Sequence, residues 1–244
     1  MGSKNRIAKY IVPIIQKYID NNNITTYYEP FVGGANIIDK IKCENRIGND
    51  IHKELIAMLK KLQDGWEPPS HITEEEYNLV KNNKEQYPDY YVGFVGFMAS
   101  FSAKYFAGYA RGYKNDGITP RDSSNESIRN ILRQVPNLKS IQFICSDYLN
   151  NQYNDLKNSV IYCDPPYFNT TKYSTGKFDY NLFWEWCRKM SENNYVFVSE
   201  YNAPDDFVCI WSKDTLANFD CSRGTNNTNK KRVEKLFVHS SMKS

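Results

Sequence analysis

A chain of 244 residues is long enough for one full α/β domain carrying a substantial insertion, and too long for a peptide-sized binding module. With 41% hydrophobic and 24% charged residues, a packed core is the default and disorder is not. A formal net charge of +3 is weakly basic, which permits nucleic acid as a partner without demanding it.

Along the chain, Ile7, Ile11, Ile14, Ile15 and Tyr18 fall at helical spacing and predict an amphipathic helix over Ile7–Ile19. Thr25-Thr26-Tyr27-Tyr28 is β-branched and aromatic, and predicts a short buried strand. It runs through Glu29-Pro30 into Phe31-Val32-Gly33-Gly34, after which a helix is expected over Ala35–Ile41. A second strand, Arg46 to Asn49, ends at Asp50 and leads into a helix over Ile51–Lys60. Two consecutive strand-then-helix units imply a parallel sheet with crossover helices.

After Asp64-Gly65-Trp66-Glu67-Pro68-Pro69 the composition turns to Tyr, Asn, Lys and Arg with little strand-like alternation. This segment predicts a mostly helical insertion. The sheet pattern resumes with strands at Ile141–Cys145, Val160–Cys163 and Tyr195–Val198, a helix at Leu182–Met190, and a last strand at Val233–Val238 behind a polar loop over Arg223–Arg232. The apolar runs suit strands covered on both faces. The expected organisation is a first catalytic part at 1–64, an insertion at 65–139 and a second catalytic part at 140–244, around a seven-stranded, mostly parallel sheet.

Asp164-Pro165-Pro166-Tyr167, directly after a buried strand, carries the strongest chemical signal. Proline lacks an N–H and fixes φ, and the residue before each proline is pushed out of helical geometry, so the tetrapeptide is a stiff extended loop with outward carbonyls. An aromatic amine is a poor nucleophile because its lone pair is delocalised into the ring. A carboxylate and a backbone carbonyl accepting its two hydrogens localise that lone pair while fixed charges meet the developing one. Tyr167 is placed to stack on the base. Gly33 and Gly34 permit close approach of the backbone to a ligand, and Asp50 follows Gly33 by 17 residues, about the spacing at which an acid meets a ribose in nucleotide folds. The absence of G-x-G-x-x-G argues against a dinucleotide dehydrogenase.

With these motifs in this order the chain resembles the Dam-type DNA adenine-N6 methyltransferases of bacteria and phages. Gly2-Ser3-Lys4-Asn5-Arg6 is similar to that family's N-terminal cofactor motif, Glu29-Pro30-Phe31-Val32-Gly33-Gly34 to its glycine motif, Asn49-Asp50 to its ribose-binding acid, and Asp164-Pro165-Pro166-Tyr167 to its catalytic motif. The resemblance implies a Rossmann-like S-adenosylmethionine-dependent methyltransferase fold with a helical target-recognition insertion. It also implies a cofactor site of Lys4, Phe31, Gly33, Gly34, Asp50, Asp147, Tyr148 and Asp164. Asp50 would hold the ribose hydroxyls, Asp147 and Tyr148 would touch the cofactor adenine, and Asp164 would stand between cofactor and target amine.

The stretch Phe97–Lys114 interleaves aromatics with Lys104, Arg111 and Lys114, a pattern suited to phosphate contact and base stacking. Lys104, Tyr109, Arg111 and Tyr113 are therefore the candidate contacts to double-stranded DNA, partly by analogy with the family. Ser199-Glu200-Tyr201 ends a strand at the sheet's carboxyl edge, where either a target pocket or a loop support is expected. The expected enzyme is a metal-free monomer: six cysteines lack C-x-x-C pairing or neighbouring histidines. With no apolar run of membrane length and no signal-peptide stretch, a cytoplasmic location is expected. Cytosine-N4 methylation, and a DNA-binding relative without catalysis, are the competing readings.

Overall fold

The computed structural model describes residues 4–113, 116–166, 178–216 and 231–243. Adjacent tyrosines at the start of the sheet show how the strands are built. Tyr27 and Tyr28 are both wholly buried yet belong to cores on opposite faces, because side chains alternate along a strand. The four residues of Val160–Cys163 split the same way, and all are buried. Helices cover both faces, which explains the continuous apolar runs.

The described strands form one seven-stranded sheet: β1 (Thr26–Glu29), β2 (Asn45–Asp50), β3 (Ile141–Cys145), β4 (Val160–Cys163), β5 (Tyr195–Glu200), β6 (Phe207–Leu216) and β7 (Lys231–His239). Their spatial order is β3-β2-β1-β4-β5-β7-β6. The first five are mutually parallel, and β7 lies antiparallel between β5 and β6. The core on one face is filled from α1 (Asn5–Asn21), α2 (Lys53–Gln63), α4 (Asp89–Met98) and α5 (Ser123–Leu138), and the other from α6 (Tyr180–Ser191).

The expected α/β architecture and parallel strands are present. The helix expected over Ala35–Ile41 is instead a single 3-10 turn, Ile38–Lys40. Gly33 and Ala35 both have positive φ, at 49° and 55°, and Ile41 is already extended on its way to β2. Too few residues remain between turn and strand to repay helix nucleation. β6 falls on a stretch for which the sequence predicts no element, and α2 starts two residues later than predicted. The polar loop expected at 223–232 lies outside the described residues up to 230, and its last two positions open β7.

The described residues of 65–139 contribute α3 (Glu74–Asn82), α4 and α5, with 3-10 turns at Lys84–Gln86 and Phe101–Ala103, and no strand of the sheet. Thr73 caps α3 by accepting from the Glu76 N–H at 3.1 Å, and three glutamates in its first turn meet the positive end of the helix dipole. This segment is seated on the rest of the chain through α4, whose Gly93 lies flat on α2. A Cβ at Gly93 would stand 2.1 Å from the carbonyl oxygen of Glu54, a backbone atom with no rotamer to yield. Gly93→Ala is therefore expected to cost about 1–3 kcal/mol by forcing the two helices apart. Urea denaturation tests this; an unchanged midpoint would mean that the helices are not locked together here.

Candidate active site

From β1 the chain moves through β2 to β3 on one side, while β4 and β5 lie on the other side of β1. At such a reversal the loops leaving two adjacent parallel strands diverge and leave a crevice at their carboxyl ends. Register pairs Tyr27 with Val160 and Tyr28 with Ile161, so β1 and β4 end together. The segments that leave them are Pro30–Gly34 and Asp164–Pro166. Sequence positions more than a hundred residues apart thus meet at one crevice because of strand order alone.

The glycine turn is held from three sides. Asp50, at the end of β2, accepts the Gly33 N–H on Oδ2 at 3.1 Å and the His52 N–H on Oδ1 at 3.0 Å. Burial raises its pKa, and those two backbone donors oppose the rise. The wholly buried Asn49 beside it donates to the carbonyls of Pro30 and Ser146 at 3.1 and 3.0 Å and accepts from the Ser146 hydroxyl at 2.8 Å, tying the ends of β1, β2 and β3 together. From α5, Gln134 donates to the carbonyls of Gly34 and Ala35 at 3.1 and 2.6 Å. Gly33 itself, at φ +49°, has no atom within 4 Å of where a Cβ would be. The turn is rigid and open on its outer side.

Across the crevice, Asp164 meets Lys4, whose Nζ is 3.2 Å from Asp164 Oδ1 and 3.0 Å from Glu234 Oε2. Lys4 stands at the start of α1 with its side chain 8% exposed, and that of Asp164 is 19% exposed. Burial lifts the Asp164 pKa to about 6; Lys4 pulls it down and Glu234 pushes it up. For Lys4 burial disfavours the charge, but the two carboxylates outweigh it and its pKa lies above the usual lysine value. Beneath them Glu29, wholly buried, accepts from the Tyr27 hydroxyl at 2.7 Å, and burial drives its pKa far up. Tyr162 is hydrogen-bonded to Ser199 at 2.8 Å in the same layer. Of the proline pair, Pro165 is buried, and the carbonyl of Pro166 accepts the hydroxyl of Tyr180 from the first turn of α6. Asp179 caps that helix through the N–H groups of Asn181 and Leu182.

Aromatic side chains wall one flank. Phe31 packs against Tyr148, Phe178 and Phe183 at centroid distances of 4.9, 5.7 and 5.8 Å. Tyr148 is 8% exposed, and Asp147 accepts the Leu149 N–H at 2.9 Å, which caps the short turn after β3. On the insertion side the His52 ring sits edge-on to Phe97 and Tyr105 at 5.1 and 4.4 Å, so the segment after α4 abuts the residue that Asp50 holds.

The structure thus gathers Lys4, Phe31, Gly33, Gly34, Asp50, Asp147, Tyr148, Asp164, Pro165 and Pro166 around the carboxyl ends of β1 to β4; Tyr167 and Lys114 lie outside the described residues. The DNA candidates separate. Tyr109 points inward, donating to the carbonyl of Ile72 at 2.8 Å and packing on Tyr77. Lys104 is exposed, Tyr113 is 65% exposed, and Arg111 is exposed and paired with Glu74 of α3. Sequence reasoning missed Glu234, Gln134, Tyr180 and His52. Only Tyr180 carried a local signal, standing just after the helix-capping Asp179.

Three comparisons bear on this site. The chain is 26% identical over 189 residues to the type II methyltransferase M.FokI of Planomicrobium okeanokoites, covering 70% of this chain and 28% of the relative. It is 24% identical over 226 residues to the type II methyltransferase M.MjaIII of Methanocaldococcus jannaschii, covering 74% of this chain and 73% of the relative. The chain spans 29% of the length of another relative, the modification methylase StsI of Streptococcus sanguinis, and a similar share of M.FokI. Among solved structures it is similar to an rRNA methyltransferase, aviRa from Streptomyces viridochromogenes, with a TM-score of 0.44 at 9% identity over 100% of this chain and 88% of that one. The family model of the D12 class N6 adenine-specific DNA methyltransferases matches residues 1–95 and 89–218, and to that family this chain belongs.

Proposed function

We propose that this chain transfers a methyl group from S-adenosylmethionine to the exocyclic N6 amine of an adenine flipped out of double-stranded DNA, within a specific site. The observation that carries the reading is the buried Asp164 carboxylate at the mouth of the strand-order reversal, held 3.2 Å from Lys4 and facing the turn that Asp50 ties down. Family membership supports the choice of adenine and of DNA.

The donor set fits the cofactor. Asp50 uses one backbone donor on each oxygen, and a carboxylate has about four acceptor positions, so ribose hydroxyls can still be received. The open space beside Gly33 and the Phe31–Tyr148 wall suit a ribose and an aromatic base. When bound, the cofactor supplies an electrophilic methyl on a sulfonium.

The chain's own part is to prepare the amine. Asp164 accepts one N6 hydrogen. The Pro165 carbonyl is the matching acceptor for the other, since the Pro166 carbonyl takes the Tyr180 hydroxyl. Two acceptors draw the nitrogen toward tetrahedral geometry, localising its lone pair, and the carboxylate stabilises the positive charge that develops on nitrogen. No general base is needed, because the alkylated amine sheds its proton to water. Extruding the base costs a few kcal/mol, about the range typical of flipped bases, and pocket contacts must offset it. The insertion, with Lys104, Arg111 and Tyr113 on its surface, is the proposed region of target recognition.

Asp164→Ala is expected to lower kcat by at least about a hundredfold, the usual loss when a charge-stabilising group is removed, while calorimetry still detects cofactor. Nucleoside mass spectrometry of treated DNA should show N6-methyladenine; N4-methylcytosine alone would sink the reading. Asp50→Ala is expected to weaken cofactor binding by about tenfold or more, equivalent to one lost charge-assisted hydrogen bond, with less effect on saturated turnover; unchanged affinity would remove Asp50 from the cofactor site.

The pKa of Asp164 near 6 fixes a pH dependence. As pH falls through 6 the carboxylate takes a proton and ceases to accept, so kcat/KM should fall about tenfold per pH unit on that limb. The stability contribution has the opposite sign: a carboxyl whose folded pKa is raised favours the fold at acid pH, and that contribution is lost as pH rises through 6. Activity should therefore fade below pH 6 while circular dichroism at the same pH is unchanged. A flat rate profile from pH 5 to 7 would contradict the assigned role of Asp164.

A further inference from the structure

β7 is antiparallel to its neighbours, so its beginning, not its end, reaches the carboxyl edge of the sheet. Glu234 stands there, paired in register with Lys213 of β6, while the next residue, Lys235, is opposite Glu200 at the end of β5. Its side chain is 15% exposed, and its Oε2 lies 3.0 Å from Lys4 Nζ. Lys4 thus bridges two carboxylates, Asp164 and Glu234, delivered by strands that are not adjacent in the sheet.

We propose that Glu234 is a positioning residue for methyl transfer: it shares Lys4 with Asp164, so that the ammonium orients the catalytic carboxylate without neutralising it. This rests on the function proposed above. An ammonium has three donors and one charge. In a buried one-to-one pair both would be committed to Asp164, whose lone pairs and negative charge are what the target amine requires. With Glu234 on its other side the cluster carries a net negative charge, and the lysine is anchored independently of Asp164. The titratable groups around Asp164 are Lys4 from the start of α1, Glu29 from β1, Tyr162 from β4 itself and Glu234 from β7. Glu29 and Tyr162 are hydrogen-bonded to Tyr27 and Ser199, whereas Glu234 contacts the lysine directly. A weakly acidic carboxylate also accepts hydrogen bonds more strongly than a fully paired one, and Glu234 works in that direction.

The test compares Glu234→Gln and Glu234→Asp with wild type. Glu234→Gln keeps the size and removes the charge. It is expected to shift the acid limb of kcat/KM to lower pH, because Asp164 loses a like-charged neighbour, and to reduce kcat by roughly tenfold to a hundredfold as the lysine's anchor weakens. KM for the cofactor should stay within about twofold, since only uniform binding energy would move it alone. Glu234→Asp, which keeps the charge but lengthens the contact to Lys4, should place the limb between those of wild type and Glu234→Gln. A limb that stays in place in Glu234→Gln overturns the proposal, and so does a loss of kcat and cofactor affinity together with no pH shift, which is the signature of a merely structural residue.

A readout independent of turnover separates this proposal from the assigned activity. In protein with 13C-labelled aspartate, the Asp164 carboxyl resonance, assigned by its loss in Asp164→Asn, should titrate near pH 6 and move to lower pH in Glu234→Gln. That shift supports the proposal even if no DNA adenine is methylated, an outcome that would count against the function alone. If Glu234→Gln does not fold, Glu234→Asp decides, because the shorter side chain lengthens the contact to Lys4 and must move the same resonance; an unmoved resonance overturns the proposal.

Discussion

A carboxylate taken out of water tends to recover its proton, and the site depends on Asp164 resisting that tendency only part of the way. Burial alone would neutralise it, since an unpaired buried charge is far too costly to keep. A full ion pair with Lys4 would hold it ionised but spend its acceptor capacity. The observed cluster, one ammonium between two carboxylates at 3.0 and 3.2 Å, is the intermediate solution. Such a cluster is a poor source of stability, because desolvation consumes most of its Coulombic gain. Its worth is in fixing an electrostatic state at one position, where the proposed methyl transfer needs a strong acceptor and no competing proton.

That position exists because of strand order. The reversal beside β1 opens the crevice, and the antiparallel β7 brings a residue from near the end of the chain to the same edge. Around this frame the insertion does more than hang from the surface. Gln134 of α5 fixes the carbonyls of the glycine turn, and the segment after α4 packs Tyr105 on His52, next to Asp50. The proposed cofactor side of the crevice is therefore braced partly by residues of the proposed recognition region. A rigid acceptor edge is useful only if the donor is held with comparable precision, and these contacts supply that rigidity from outside the sheet.

The sequence made the parallel strands legible because burial on both faces leaves an unmistakable apolar run, as at Val160–Cys163. It made Asp164-Pro165-Pro166 and Gly33-Gly34 legible because prolines and glycines state their backbone requirements locally. It did not reveal Glu234, which is one charged residue in an alternating strand, indistinguishable by pattern from a solvated position. Gln134 was hidden for a similar reason, since nothing in α5 marks one glutamine as reaching a turn a hundred residues earlier. The short helix after Gly34 failed where the left-handed φ of Ala35, a non-glycine residue, consumed the residues that periodicity assigned to it. β6 was passed over because its run, Phe207-Val208-Cys209-Ile210-Trp211, is broken by a register shift between Cys209 and Trp211, so that strict alternation does not hold across it.

The surface of residues 65–139 limits how the proposed DNA substrate can be read. Tyr109 is spent inward on Ile72, so its hydroxyl serves the fold and not a base edge. Arg111 is paired with Glu74, but both side chains are exposed, and an exposed ion pair is weak enough for a phosphate to replace the glutamate. Phosphate contacts position a protein without specifying sequence, and a chain with a net charge of only +3 has little capacity for indiscriminate binding. The balance of affinity must then come from contacts made once a base has left the stack, where the Asp164 carboxylate and the Pro165 carbonyl lie. On this account residues 65–139 position the proposed substrate, and a base that carries no exocyclic amine is rejected by its failure to satisfy Asp164.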